Sequence, residues 1–301
     1  MYWNRLRAYL KAQYGTTVYK LALSSGCSCP NRDGTLGTRG CIFCDGAGAF
    51  AQHGPIPDQL AAAKARVAFK AGPNARYIAY FQSFTNTYAP LSRLRELYTA
   101  AMAPEDVVIL SVATRPDCLP EETVDLLAEL NRIKPVWVEL GLQTIHPESA
   151  AWIRRGYDLS VFDQAVERLR TAGISVIVHQ ILGLPGETPE QMVETARYIG
   201  KSGASGIKFH LLHVLRGTDL EPLWRSGAVT CLEQNAYIRI LEACLRNIPR
   251  EMVVHRLTGD GAKRDLLAPL WSADKKRVLS AINTAFQQDN LEQGSDLCFD
   301  M

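Results

Sequence analysis

What the 301-residue sequence lacks narrows its class first. No apolar run approaches the roughly 20 residues of a membrane-spanning helix, so no membrane association is expected. Met1-Tyr2-Trp3-Asn4-Arg5 leads into an amphipathic segment and not into an apolar leader, so the chain is expected to be cytoplasmic. Charge of either sign is not in excess: 33 Lys and Arg stand against 31 Asp and Glu, a net +2. No strongly electrostatic partner is therefore dictated. What is present is enough apolar content, 47%, for a sizeable core, and eight cysteines of which four fall between residues 27 and 44. Length alone suits about two domains or one α/β barrel. Free thiols gathered in one segment suit a reducing compartment.

That segment reads Ser25-Gly26-Cys27-Ser28-Cys29-Pro30-Asn31-Arg32-Asp33-Gly34 and continues to Gly40-Cys41-Ile42-Phe43-Cys44. Cys41 and Cys44 are spaced so that both thiolates can turn to one metal atom or one cluster. Cys29 lies close enough to fold back as a third ligand. Glycines at 26, 34, 37, 40, 46 and 48 exclude a regular element and let the backbone wrap closely around something compact. A structural zinc site wants four ligands; an iron–sulfur cluster is likewise held by cysteine thiolates, and three on a four-iron cluster leave one iron open. Cys27 is one residue from Cys29, and in an extended chain such neighbours point apart, so Cys29 is taken as the ligand and Cys27 as a bystander. Cys118, Cys231, Cys244 and Cys298 are scattered and read as inert thiols.

Cys-Pro-Asn-Arg-Asp-Gly followed by Gly-Cys-Ile-Phe-Cys resembles the YhcC/YtqA-like branch of the radical S-adenosylmethionine (SAM) enzymes, related to the catalytic domains of the Elongator subunit and of oxygen-independent coproporphyrinogen oxidase. The resemblance implies a [4Fe-4S] cluster on Cys29, Cys41 and Cys44, with SAM chelating the open iron. It also implies an electron donor such as flavodoxin or ferredoxin. This sequence departs from the branch at Cys27, where an aromatic residue is commoner.

Along the chain, residues 3–13 have helical apolar spacing and Thr17 to Leu23 reads as the first strand, feeding directly into the cysteine segment. Strands are expected at Arg76 to Phe81, Asp106 to Ala113, Val136 to Leu140, Ile174 to Leu182, Ile207 to Val214 and Met252 to Arg256. Helices are expected over 57–71, Leu91 to Met102, from Pro120 as a first helical residue, and over 160–172. Thr188-Pro189-Glu190-Gln191 is a capping box opening another. Apolar strands alternating with helices predict a parallel sheet covered by helices. The fold expected is α/β, a partial (β/α)6-type TIM barrel of the radical SAM kind. Its divisions are an N-terminal helix (1–16), the barrel (17–261) and a C-terminal helical extension (262–301).

In such barrels the chemistry lies at the C-terminal ends of the strands, and here every strand ends in polar or glycine-rich residues. By resemblance, the loop bearing Ser83 meets the methionine amine of SAM, Gln143 contacts SAM, and Arg155, with Arg154 as its neighbour, matches an arginine of the relatives. His179 falls near the ribose, and Gly183 opens the Gly183-Leu184-Pro185-Gly186-Glu187 turn beside the adenine. Asn86, Tyr88, Arg115, Glu139, His210, Arg256 and Asp260 remain as substrate candidates on the rim. His210 and His213, three apart on one strand, are expected on opposite faces.

Lys275-Lys276-Arg277 is the strongest basic run, either a solvated helix face or a phosphate-contacting patch. Members of the resembled branch are linked to bacterial tRNA wobble uridine. The reaction implied is conversion of 5-carboxymethylaminomethyluridine to the 5-aminomethyl form, with tRNA as partner. No acetyltransferase domain of the Elongator kind and no second cysteine triplet are read in the sequence. The alternatives are a radical SAM enzyme acting on a small metabolite or peptide, and a zinc-stabilised RNA-binding protein without catalysis.

Overall fold

A computed structural model describes residues 2–45, 54–259 and 264–297. Its sheet contains β1 (Val18–Leu23), β2 (Arg76–Phe81), β3 (Val107–Thr114), β4 (Val136–Gln143), β5 (Ser175–Leu182), β6 (Gly206–Leu211) and, later in the chain, Val253–Arg256. All neighbours in it are parallel and lie in sequence order. The connecting helices are α1 (Leu6–Tyr14), α2 (Ile56–Val67), α3 (Leu91–Met102), α4 (Glu121–Asn131), α5 (Pro147–Trp152), α6 (Leu159–Thr171) and α7 (Pro189–Lys201). Beyond β6 come β7 (Val214–Leu215), α8 (Leu220–Arg225), α9 (Gln234–Arg246), β8 (the Val253–Arg256 strand), β9 (Leu266–Ala268) and α10 (Lys275–Gln288).

The parallel half-barrel expected from the sequence is present, with seven strands. Three expectations need correction. Pro120 caps α4 and does not begin it. The sixth strand ends at Leu211, because the chain turns and Val214–Leu215 pairs antiparallel with β9. His213 therefore does not share a strand with His210; it packs where a Cβ on Gly259 would stand 2.7 Å from its ring. The Thr188 capping box forms as expected, with Pro189 in the first turn.

The outer face of the sheet carries Leu21, Ala79, Leu110, Val138, Val176 and Ile207, all within one core with the surrounding helices. The inner face begins apolar: Ile78, Ile109, Trp137 and Ile177 pack with Leu10 of α1, which closes the floor of the barrel. Above that floor the inner face turns polar. Lys20 of β1 and Lys208 of β6 both contact Glu139 of β4. In a flat sheet β1 and β4 would lie about 14 Å apart, three spacings of roughly 4.8 Å, so this meeting requires the sheet to curl. The N-terminal segment fastens this floor to the last helix. Arg5 bridges to Val254, the Asn4 N–H donates to Gln293 at 2.8 Å, and the Trp3 ring meets Phe286 edge-on at 5.0 Å.

Candidate active site

The cysteine segment leaves the C-terminal end of β1 and folds over the barrel mouth. Its turns are closed by local hydrogen bonds: Arg32 N–H to Cys29 O at 2.8 Å, Gly40 N–H to Asn31 O at 2.7 Å and Cys44 N–H to Cys41 O at 3.0 Å. Gly34 and Gly40 adopt φ of 95° and 74°, the left-handed region that glycine enters without strain. A Cβ on Gly40 would also stand 2.9 Å from the Arg32 guanidinium, which reaches back to the carbonyls of Cys44 and Asp45 at 2.9 and 3.2 Å. Asn31 is buried and donates to Arg154 O at 2.7 Å and to Cys41 Sγ at 3.5 Å.

The thiols sort into two groups. Burial, with Cys44 close by, pushes Cys41 up to about 11, and burial also raises Cys44; Cys29 lies within electrostatic range of both. Cys27 packs against the main core beside Arg93 and Tyr98 of α3. Cys29, Cys41 and Cys44 thus lie within electrostatic range of one another on one loop, while Cys27 lies against the core. Among the described residues no three His, Cys, Asp or Glu side chains converge as donors to a single metal ion. Buried neighbouring thiols are costly as bare anions and are stabilised by a cationic centre. A cluster fits this donor set, with Asn31 supplying an N–H to sulfur and Arg32 and Arg115 adding positive charge nearby.

Around this loop, strain is concentrated at the rim. Among the described residues four non-glycine residues have positive φ, and three belong to the mouth: Phe84 (61°), Gln143 (71°) and Arg154 (59°). Such conformations persist where surrounding structure over-determines them, often at functional sites. Ser83, beside Phe84, is buried. Gln143 ends β4 and folds back over Gly141, where a Cβ would stand 2.9 Å from its Nε2. Gly183 has φ of 89° and faces Leu232.

The arginine pair divides its work. Arg155 is buried and donates to Tyr157 O at 3.1 Å, Thr144 O at 2.6 Å and Leu142 O at 3.4 Å. These bonds fasten the loop after β4. Arg154 pairs with Asp219 at 2.7 Å and keeps a buried Nη1 without a hydrogen-bond partner. Arg115 forms a two-pronged pair with Asp117 at 2.9 and 2.7 Å, over the Tyr157 ring.

Among the substrate candidates, Asn86 is fully buried and both ends of its amide are engaged, by Ser25 Oγ at 2.6 Å and by the carbonyls of Ala113 and Phe81 at 2.8 and 3.2 Å. It is a tie between loops and not an open rim residue. Tyr88 meets Thr35 Oγ1 at 3.0 Å and borders a cavity of about 950 Å³ with Pro30, Leu119 and Arg168. Asp260 lies outside the described residues, as does Cys298.

Glu139, His179, His210 and Arg256 belong to the lumen. Glu139 is fully buried and accepts from Lys20 Nζ at 2.8 Å, Lys208 Nζ at 2.7 Å, Ser111 Oγ at 2.9 Å and His179 Nε2 at 2.7 Å. Burial opposes its charge, but the two lysines and His179 hold it well below the usual carboxylate range. Burial, with Lys208 adding to it, lowers His179 to about 4, so the ring is neutral and donates from Nε2. The His210 ring lies 4.9 Å from that of His179, and Arg256 pairs in register with Lys208. Lys20, Lys208, Ser111 and Tyr80 were not singled out from sequence. The available signal was a lysine inside each of two largely apolar strands, VYKLAL and GIKFHL.

Comparisons with known proteins bear on the family and the fold. The Radical SAM superfamily model matches residues 34–199 and the Radical_SAM C-terminal domain model matches 204–288. The chain is 43% identical to the uncharacterized protein YtqA of Bacillus subtilis, over 97% of this chain and 92% of that one. It is 39% identical to protein YhcC of Escherichia coli, over 90% and 88%. A tRNA uridine(34) acetyltransferase of Methanocaldococcus jannaschii is 26% identical over 51% of this chain and 28% of its own length. The solved structure of Methanocaldococcus infernus Elp3 with an N-terminal deletion shares the fold, with a TM-score of 0.69, 16% identity, and coverage of 92% of this chain and 64% of that one.

Proposed function

The chain belongs to the radical SAM superfamily, and from that premise we propose that it modifies tRNA wobble uridine, converting a 5-carboxymethylaminomethyl group to 5-aminomethyl. Members of the superfamily use a [4Fe-4S] cluster and SAM, which when bound supply a 5′-deoxyadenosyl radical able to take hydrogen from an unactivated carbon. The observation that carries the reading is the grouping of Cys29, Cys41 and Cys44 on one loop over the mouth of a parallel half-barrel. These three thiolates are assigned as the cluster ligands.

The protein's own residues do the rest. Asn31 and Arg32 fix the loop, and the strained rim at Phe84, Gln143 and Arg154 shapes the place for SAM. Ser83, Gln143 and Gly183 are assigned to SAM contact, with Arg155 holding the wall behind it. The lumen beneath receives the substrate and keeps water from the reacting carbon.

Two features support tRNA. One is the likeness to a tRNA uridine(34) acetyltransferase. The other is Lys275, Lys276 and Arg277, exposed at the start of α10. Cations at a helix N-terminus oppose the macrodipole, so helix stability does not explain them, whereas a phosphate backbone does. The electron donor is assigned as a flavodoxin or ferredoxin, and the compartment as cytoplasmic. Among the described residues no helix is long and apolar enough to cross a membrane.

The test compares wobble nucleosides of tRNA from cells with and without the gene. Loss of the gene is expected to accumulate the carboxymethylaminomethyl form at the expense of the aminomethyl form. An unchanged profile overturns the reading.

A further inference from the structure

Donors outnumber acceptors in the middle of the barrel. Glu139 takes four hydrogen bonds, which fills the acceptor sites of a carboxylate. Two lysines share that single anion, and burial, only partly offset by Glu139, lowers Lys208 to about 7, so a second anion beside it would hold it charged. Lys208, 4% exposed, also donates to Tyr80 Oη at 2.7 Å. Lys20 has one hydrogen bond, to Glu139, and otherwise lies 4.7 Å from the Tyr80 ring centroid. Above them, the Nε2 of His210 is buried without a partner. A network that merely filled the core would balance its charges, because buried charge without a counterion is costly.

The geometry also gives depth. Lys208 and His210 are two residues apart on β6, about 7 Å along the strand, with His210 nearer the mouth. Lys20 and His179 retain 24% and 13% side-chain exposure, so the lumen is not sealed around them.

We infer that the lumen is a carboxylate-recognition site, in which Lys20, Lys208 and His210 receive the anionic arm of the substrate while Glu139 holds the two lysines in place. The inference rests on the proposed reaction, whose substrate carries such an arm and whose product does not. SAM also carries a carboxylate. The substrate is preferred as the source because Lys20 and Lys208 are the third residues of their strands, short of the C-terminal strand ends where the cysteine segment leaves β1. Lys20 and Lys208 are thus determinants of specificity.

The experiment uses the reconstituted full chain with SAM and three anticodon stem-loops, bearing at the wobble position 5-carboxymethylaminomethyluridine, its carboxamide, or 5-aminomethyluridine. A charge-assisted bond lost to the amide is worth about tenfold or more in affinity, so wild type is expected to prefer the acid by that factor. Lys20→Met and Lys208→Met are expected to bring the ratio to within about twofold, and Lys20→Arg to restore most of it. Lys20→Met, on the partly exposed edge strand, keeps the test valid if Lys208→Met fails to fold. SAM affinity, read by equilibrium dialysis, is expected to stay within about twofold in the same variants. Equal binding of all three stem-loops overturns the inference and leaves the tRNA reading standing; binding of none overturns both. A loss confined to SAM assigns the anion to the cofactor and overturns the inference as well.

Discussion

Val138 and Glu139 are neighbours on β4, both fully buried, and they face opposite worlds. Val138 lies in the apolar layer beneath the helices. Glu139 is the anion around which Lys20, Lys208, Ser111 and His179 assemble. The outer face of the sheet contributes stability through area removed from water. The inner face holds charge in a place where charge is expensive, and is tolerable only because each member is hydrogen-bonded. One sheet therefore separates two tasks, and substitutions should sort by which way a side chain points.

The largest effects are expected at the mouth. Cys29→Ala, Cys41→Ala and Cys44→Ala should each abolish SAM cleavage after anaerobic reconstitution and deplete bound iron and sulfide, while Cys27→Ala should retain both. Loss of cleavage in Cys27→Ala alone would reverse the grouping of thiols. Next comes Glu139→Ala, which leaves two lysines without their shared partner; a loss of about 3–5 kcal/mol is expected, measured by urea unfolding. A loss below about 1 kcal/mol would show that water reaches the lysines freely.

A pH series sharpens the same contrast. His179 is lowered to about 4, and His210 and His255 well below their usual value, by burial first and then by neighbouring cations or, for His210, the His179 ring. Below an unfolded value of about 6.5 the unfolded chain binds protons that the folded chain refuses, so stability present above that pH is lost on acidification toward 4. Each imidazole contributes about 1.4 kcal/mol per pH unit in that window. His255→Gln should flatten the slope by roughly one such contribution, read as urea midpoints at several pH values. On the outer face the effects are smaller and purely structural. Val138→Ala should lower stability by about 2 kcal/mol without changing SAM cleavage at a temperature where the protein is folded. Thr188→Ala, which removes the hydroxyl that accepts from the Gln191 N–H at the start of α7, should cost about 1 kcal/mol in thermal unfolding.

The outer face was the legible one. Apolar runs gave β2 and α3 at their observed bounds, and the Thr188 box gave the start of α7, because burial and capping are local signals. The cysteine segment itself was legible because its spacing is short. The inner face was not, since Lys20 and Lys208 are 188 residues apart in the chain and acquire meaning only when the sheet curls. Asn86 was visible as a polar residue after a strand and Arg155 only through the resemblance, and their bonds to distant carbonyls depend on loops whose paths no periodicity encodes. The β7–β9 ribbon was missed because two- and three-residue strands carry too little pattern to register.

The clasp between Trp3, Asn4 and Arg5 at one extreme and Phe286, Gln293 and Val254 at the other sets a timetable for synthesis. α1 seats Leu10 under the barrel, yet the partners of the segment before it follow by about 250 to 290 residues in the chain. Until then a nascent chain carries an unsealed base, and the acidic hub above it stays wet. Drying of that interior is thus deferred until Val254, Phe286 and Gln293 have been made.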